Sequence, residues 1–308
     1  MRHVLVIGAG RSASSLIKYL LDHSEKENLH VTIGDLSEDL AKQKTSNHKN
    51  ATAITFDIFN ETQRKAEIQK ADIVVSMLPA HLHLEVAKDC IVYKKHMVTA
   101  SYISNAMQEL DAAAKENNLV FMNEIGLDPG IDHMSAMKVL DEIRDKGGNI
   151  ILFESFCGGL VAPESDTNLW NYKFTWNPRN VVLAGQGGAA KFIQEGTYKY
   201  IPYSKLFRRT EFLEVEGYGR FEAYANRDSL KYRSVYGLDN ALTCYRGTIR
   251  RVGYSRAWDI LVQLGMTDDS YIIDNSEEMT YRALTAGKDL NNEIYIQKVM
   301  QREILRVI

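Results

Sequence analysis

Val4-Leu5-Val6-Ile7-Gly8-Ala9-Gly10-Arg11-Ser12-Ala13 runs from an apolar segment through two closely spaced glycines into a helical pattern. His3–Ile7 reads as a strand and Ser12–His23 as a helix, with Leu16, Leu20 and His23 at turn spacing. Gly8, Gly10 and Ala13 meet the G-x-G-x-x-A spacing at that strand-to-helix junction. Gly8 permits a tight turn, Gly10 lets the backbone approach a pyrophosphate, and Ala13 lets helix and strand pack closely. Arg11 and Ser12 sit at the helix N-terminus, where aimed N–H groups attract phosphate. The segment therefore predicts a dinucleotide-binding unit. The competing reading is a glycine-rich turn that binds nothing.

The next segments extend that reading. His30–Ile33 is a second strand, and Asp35 follows where a ribose-reading acid is expected. A carboxylate there accepts from ribose hydroxyls and repels a 2′-phosphate, so the cofactor is NAD(P) with NAD weakly favoured. Asp35 also fits a turn in which Ser37 caps the helix Leu36–Thr45. Arg11, as a phosphate partner, softens the preference. Asp57, after the strand Thr52–Phe56, is placed near the adenine or in an ordinary turn.

Strands at Asp72–Leu78, Met97–Ala100 and Leu119–Met122 alternate with helices near Thr62–Gln69, Leu82–Val92 and Met107–Glu116. Such alternation predicts an α/β fold of Rossmann type, a doubly wound parallel sheet with both faces covered. The pattern changes after the amphipathic helix Ile131–Asp145, which Lys146-Gly147-Gly148 closes. Strand-like runs follow at Ile150–Phe156, Val181–Leu183, Tyr198–Ile201, Phe221–Tyr224 and Thr248–Arg251. They predict a second α/β domain on a mixed sheet. The expected division is a dinucleotide-binding domain at 1–126 and a substrate-binding and dimerisation domain at 127–308. Asn291–Ile308 reads as a helix.

Composition narrows the function class. The 308 residues are 45% hydrophobic and 25% charged, as in an ordinary soluble globular chain. A net charge of -3 and a pI near 6.3 give no electrostatic case for nucleic acid or an anionic membrane surface. No apolar run reaches the length of a membrane span. A first strand beginning by His3 is expected to leave no room for a leader peptide. Cys90, Cys157 and Cys244 are scattered without metal-ligand spacing, so no metal is expected and a reducing, cytoplasmic setting is.

Further segments carry chemistry-bearing residues. Asn123-Glu124-Ile125-Gly126-Leu127-Asp128-Pro129-Gly130-Ile131-Asp132-His133 packs two glycines, a proline and four ionisable groups into eleven positions. Thr99-Ala100-Ser101-Tyr102 closes the fifth strand, and ligands collect at strand ends in open parallel sheets. Cys157-Gly158-Gly159 permits close backbone approach after a strand. Lys173-Phe174-Thr175-Trp176 sets aromatics among polar neighbours. Asn226-Arg227-Asp228 and Tyr245-Arg246-Gly247-Thr248 supply guanidinium groups.

These motifs resemble saccharopine dehydrogenase of the glutamate-forming type, the saccharopine reductase family. The resemblance lies in GAGRSA at Gly8–Ala13, TASYIS at Thr99–Ser104 and NEIGLDPGIDH at Asn123–His133. It continues in CGGLVAPES at Cys157–Ser165, NYKFTWNPR at Asn171–Arg179, ANRDS at Ala225–Ser229 and YRGTIR at Tyr245–Arg250. It implies NAD(P)-linked interconversion of saccharopine with glutamate and α-aminoadipate semialdehyde by a homodimer. It implies substrate contacts at Ser101, Tyr102, Asp128, Arg227 and Arg246-Gly247-Thr248, with Cys157 and Trp176 close to the reacting groups. Leu127, Asp128 and Pro129 would border the nicotinamide, and Ile58, Leu78 and Thr99 would complete the cofactor contacts. Departures are Val161 for the usual proline, Asn171 for the usual glycine, and Ala80-His81-Leu82 in place of an aromatic-containing turn. Family members also continue past this chain's end, so the C-terminal part is expected to be shortened or incomplete.

The chemistry suits these residue types. Saccharopine is a secondary amine with three carboxylates, and Arg matches a carboxylate with a planar fork. Arg227 and Arg246 are the anchor candidates, with surface salt bridging as the alternative. Asp128, Tyr102 and Cys157 are the catalytic candidates. Asp128 could hold an ammonium group, stabilise an iminium ion or take a proton through water; a turn Asp before a helix is the alternative. Tyr102 could bond the amine or the attacking water, or be an interface tyrosine. Cys157 is read as a pocket residue and not a nucleophile, whereas Cys90 and Cys244 read as buried small hydrophobes. His133 reads as a buried histidine bonded to backbone before it reads as a proton relay. Trp176 is divided between walling the site and packing a core. The alternatives to the main reading are a carboxynorspermidine dehydrogenase-like imine reductase and a nicotinamide-binding sensor without turnover.

Overall fold

The computed structural model describes residues 1–183, 188–270, 272, 273, 276 and 280. Two compact units divide the chain, Met1–Lys138 and Val139–Ile308. The segment Asn291–Ile308, expected to be helical, lies outside the described residues.

In the first unit the elements follow as β1 (Arg2–Ile7), α1 (Ser14–Asp22), β2 (Leu29–Asp35), α2 (Glu38–Thr45), β3 (Ala51–Thr55), α3 (Glu61–Lys70) and β4 (Ile73–Ser76). Then come α4 (His83–Val92), β5 (His96–Val98), α5 (Asn105–Gln108), α6 (Asp111–Glu116), β6 (Phe121–Met122) and α7 (Ile131–Asp145), which runs on into the second unit. The strands form one sheet in the order β3-β2-β1-β4-β5-β6, every pair parallel. The order of strands along the sheet reverses between β1 and β4, and a crevice for ligands opens at the carboxyl ends of strands at such a point.

Local chemistry explains the elements. Val4 to Ile7 alternate between two buried clusters, Leu5 and Ile7 in one, Val4 and Val6 in the other. Ile17 and Leu21 of α1, one turn apart, bury against Val31 and Ile33. Ser37 Oγ accepts from the Leu40 amide at 3.3 Å and starts α2. Asn60 Oδ1 accepts from the Gln63 amide at 3.1 Å and starts α3. Arg64 of α3 and Asp89 of α4 form a buried ion pair at 2.6 Å. The helix expected over Met107–Glu116 is divided into α5 and α6, with Glu109 and Leu110 between them.

The second unit contains β7 (Leu152–Cys157), α8 (Pro178–Val182), β8 (Ala190–Gln194), β9 (Thr197–Ile201), α9 (Tyr203–Leu206) and β10 (Glu211–Val215). It continues with β11 (Gly219–Ala225), α10 (Lys231–Val235), β12 (Thr243–Arg251) and α11 (Tyr254–Gln263). The sheet is mixed: β10-β11-β12-β8-β9 run antiparallel, and β7 adds to β12 in parallel. An aromatic core including Phe192, Phe207, Tyr245, Tyr254 and Trp258 packs on it. Val181–Leu183, expected as a strand, belongs mostly to α8. Asn177 caps that helix and Pro178 opens it, a start signal that outweighs two adjacent valines.

Candidate active site

The glycine loop matches its expected geometry. Gly8 has φ +104°, and a Cβ there would lie 2.9 Å from the Met77 carbonyl oxygen, so the turn requires glycine. A Cβ at Gly10 would meet nothing within 4 Å, which leaves the outer side of the loop open to a pyrophosphate. Ala13 is fully buried against the β1 cluster. Arg11 and Ser12 stand exposed at the first helical turn. Asp35 Oδ2 accepts from the Ala9 amide at 2.8 Å, and Oδ1 accepts from the Ser37 amide at 3.0 Å. This carboxylate therefore ties the glycine loop to the start of α2. These residues fit a dinucleotide: an open loop, aimed amides, and a carboxylate at the end of β2.

The other expected cofactor residues divide. Asp57 Oδ1 accepts from the Phe59 amide at 2.9 Å, a local turn contact. The Ile58 side chain is in the core, and its carbonyl oxygen accepts from the buried Arg64 Nη1 at 2.6 Å. Leu78 packs half-buried beside the same cluster. Thr99 is buried at the end of β5.

The central motif folds back on itself. The Gly126 amide donates to the Pro129 oxygen at 2.8 Å, and the Asp132 amide to the Leu127 oxygen at 3.1 Å. Gly130 has φ +150°, and a Cβ there would collide with the Gly126 carbonyl oxygen. The Asp128–Pro129 peptide is cis. This bend carries Asp128 to Tyr102: Tyr102 Oη donates to Asp128 Oδ1 at 2.7 Å across 26 positions of sequence. Leu127 is exposed and Asp128 half-buried.

Two side chains that the motif reading passed over hold this region. Glu124 Oε1 accepts from the Ile103 amide at 2.9 Å, and the Glu124 amide donates to the Ser101 oxygen at 3.1 Å. Glu124 thus clamps the Thr99–Ser104 loop to the central motif. His83, in α4, is 3% exposed. Its Nδ1 lies 2.8 Å from Ser76 Oγ, and its Nε2 lies 2.7 Å from Ser101 Oγ and 3.3 Å from Thr99 Oγ1. Burial, with a smaller effect from His81, pushes the His83 pKa down to about 4, so the imidazole is neutral at pH 7. His81 and His83 both occur in one stretch, and only the tertiary fold separates them. His133 Nε2 is 3.3 Å from Glu124 Oε2, an ion-pair distance.

In the second unit, Cys157 ends β7 and is registered with Thr248 of β12. Arg246 is 5% exposed and its guanidinium sits 4.4 Å over the Tyr232 ring, which removes the surface salt-bridge alternative for it. Gly247 and Thr248 follow on the same strand. Arg227 is exposed. Trp176 is 45% exposed, so it does not pack a core. Asn171 has φ +48° with its amide on both Asp166 oxygens, at 3.1 and 3.0 Å. The left-handed conformation explains how Asn replaces glycine there. Cys90 and Cys244 are fully buried, and burial first of all pushes the Cys90 thiol up to about 12. Among the described residues no cluster could hold a metal ion, and no helix is long and apolar enough to cross a membrane. A cavity of about 280 Å³ is lined by Leu169, Trp170, Asn171, Val252, Gly253, Tyr254 and Ala257, none of them an expected site residue.

Comparison with known proteins agrees with this layout. The saccharopine dehydrogenase NADP-binding domain matches residues 4–122, and the saccharopine dehydrogenase C-terminal domain matches residues 126–303. Saccharopine dehydrogenase [NADP(+), L-glutamate-forming] of Pyricularia oryzae is 38% identical over 268 residues, 87% of this chain and 58% of its own. Alpha-aminoadipic semialdehyde synthase of Arabidopsis thaliana is 34% identical, over 94% of this chain and 30% of its own. The apo structure of the L-Glu-forming saccharopine dehydrogenase of Saccharomyces cerevisiae is 33% identical, with a TM-score of 0.78 over 88% of this chain and 60% of its own. The chain spans about three fifths or less of the length of these relatives. A six-stranded parallel sheet with a glycine loop, a mixed-sheet second unit and two domain matches that together span most of the sequence place the chain in the saccharopine dehydrogenase family.

Proposed function

We propose that this chain interconverts saccharopine with L-glutamate and α-aminoadipate semialdehyde, using a nicotinamide dinucleotide. The observation that carries this reading is the 2.7 Å bond from Tyr102 Oη to Asp128 Oδ1 in the unit that holds the glycine loop. A bound nicotinamide supplies hydride transfer at the carbon beside the secondary nitrogen. The protein must then manage protons and carboxylates. Asp128 accepts the proton of the substrate ammonium and passes it to solvent before hydride leaves; once the iminium has formed, it takes a proton from the water that adds to the iminium carbon. Tyr102 holds Asp128 in one orientation for that step. Collapse of the resulting carbinolamine returns a proton to nitrogen and releases glutamate and the aldehyde. Ser101, Arg227, Arg246, Gly247 and Thr248 bind the substrate, with Cys157 and Trp176 bordering the reacting groups. Leu127 and Pro129 flank the nicotinamide.

The substrate-binding part is taken to begin at residue 127. In solution the protein is a cytoplasmic homodimer, a reading supported for the compartment by three scattered cysteines without metal-ligand spacing and for the dimer by the resemblance. The carboxylate of Asp35 favours NAD, while the relatives' names carry NADP. The deciding experiment supplies the purified chain with semialdehyde and glutamate, with NADH or NADPH, and follows loss of reduced cofactor. A parallel reaction pairs aspartate semialdehyde with a diamine. Reduced cofactor consumed only with the first pair supports the reading; consumption only with the second, or none, removes it.

A further inference from the structure

Arg250 is a buried cation in need of an anion. It is 9% exposed in the second unit, on β12. Its Nη1 donates to the Ile249 carbonyl oxygen at 3.0 Å, and its buried Nε has no hydrogen-bond partner. Three aromatic rings surround it: the guanidinium carbon is 5.0 Å from the Tyr172 ring centre, 5.3 Å from Tyr254 and 6.0 Å from Tyr224. Burial raises the pKa of all three phenols, so none supplies a negative charge at neutral pH.

Glu222 is registered opposite Arg250 on β11, but its oxygens are committed elsewhere. Oε2 accepts from the Gly253 amide at 3.0 Å and Oε1 accepts from the Ser255 amide at 2.5 Å, where they open α11. Among the described residues no carboxylate lies within ion-pair distance of Arg250. Sequestering a guanidinium without a counter-charge is expensive, and cation–π contacts recover only part of that cost.

The surroundings are shaped for approach. A Cβ on Gly158 would collide with the Ile249 carbonyl oxygen and lie 3.0 Å from Arg250 Nη1, so the paired-glycine loop sits directly against the guanidinium with no side chain. Alternation along β12 puts Arg246, Thr248 and Arg250 on one face of the sheet, two residues apart each time. With Nη1 tied to the backbone and the guanidinium also sharing a side-chain hydrogen bond with the Tyr254 hydroxyl, Nε is the position of the fork left for a carboxylate oxygen.

We propose that Arg250, in its cage of Tyr172, Tyr224 and Tyr254 behind Gly158, is a third carboxylate-binding site that takes one carboxylate of a dicarboxylate or tricarboxylate amino acid. The inference rests on the substrate class proposed above. A substrate with three carboxylates then has three guanidinium anchors, Arg227, Arg246 and Arg250. A diamine-derived imine has no use for the third.

The test uses the full chain and its Arg250→Gln and Arg250→Lys variants. Glutarate, which has two carboxylates and no amine, is titrated in the absence of turnover, with melting temperature and calorimetry as readouts. The KM and kcat for saccharopine are measured separately. A charge-assisted contact predicts about 10- to 100-fold weaker glutarate binding and a similar rise in KM for Arg250→Gln, with kcat within a few-fold. Arg250→Lys keeps the charge and the fold but loses the fork, so its loss falls between. A lower melting temperature in both variants with glutarate affinity and KM unchanged would overturn the proposal and leave Arg250 a structural cation closed by the chain itself. Because the glutarate arm needs no reaction, a protein that fails to oxidise saccharopine removes the proposed activity without deciding the anion site.

Discussion

If Tyr102 and Asp128 work as one unit, removing either should remove their shared contribution. Tyr102→Phe deletes a 2.7 Å O–H···O⁻ bond and keeps the ring. Hydrogen bonds to charged groups contribute about 1.5–3 kcal/mol. Tyr102 is 38% exposed, so water competes and the low end applies, about 1–1.5 kcal/mol. At about 1.4 kcal/mol per tenfold, kcat/KM for saccharopine should fall roughly 5- to 10-fold. Asp128→Ala removes the proton acceptor itself, for which about 10²- to 10⁴-fold is the ordinary range. The double variant should then be no slower than Asp128→Ala alone, because the tyrosine has nothing left to hold. The coupling energy would equal the single tyrosine effect, about 1 kcal/mol, above the roughly 0.3–0.5 kcal/mol scatter of independent sites. The assay is initial-rate loss or gain of reduced cofactor at saturating dinucleotide, with melting curves to confirm folding. Fully additive losses, or a Tyr102→Phe variant as fast as the parent, would refute the paired role.

Asp89→Ala should destabilise the first unit by about 3 kcal/mol or more in urea melts, because it strands the buried Arg64 guanidinium; Arg64→Met combined with Asp89→Leu should recover most of that loss. His83 should make the fold acid-sensitive. Its neutral form is favoured in the folded state down to about 4, against 6.5 in the unfolded chain, so stability is intact above pH 6.5 and falls toward pH 4 by up to about 3 kcal/mol. His83→Gln cannot titrate, and melting temperatures from pH 7 to 4 should show a shallower decline; an identical slope would contradict the assignment. Asp35→Asn keeps an acceptor for one of the two amides that the carboxylate holds, those of Ala9 and Ser37, and loses the charge. The ratio of kcat/KM with NADPH to that with NADH should rise about 10-fold, and no change would mean that Asp35 does not face the 2′ position.

Much of this protein follows from local sequence. The strand-glycine-helix junction at Val4–Ala13 announces a dinucleotide unit because only short-range sterics are involved: Gly8 must take a left-handed turn, and Ala13 must be small. The alternating elements, the limits of α7 and the capping of α2 by Ser37 are equally local. Val181–Leu183 shows two local signals in conflict: the paired valines suggest a strand, and the Asn177–Pro178 helix start outweighs them.

The pairings between distant residues had to await the folded chain. Tyr102 and Asp128 meet only because the Gly126–Gly130 bend closes on itself. Glu124, unremarkable in a string of ionisable residues, becomes a clamp on the Ser101 loop. His83 is distinguished from its neighbour His81 by burial against Ser76, Thr99 and Ser101 on two strand ends. Arg250 looks like one of several basic residues in Tyr245–Arg251, until the mixed sheet buries it among tyrosines and turns Glu222 away. The physical reason is the same throughout: backbone preference and side-chain period act over a few residues, whereas desolvation and charge pairing depend on which strands lie side by side.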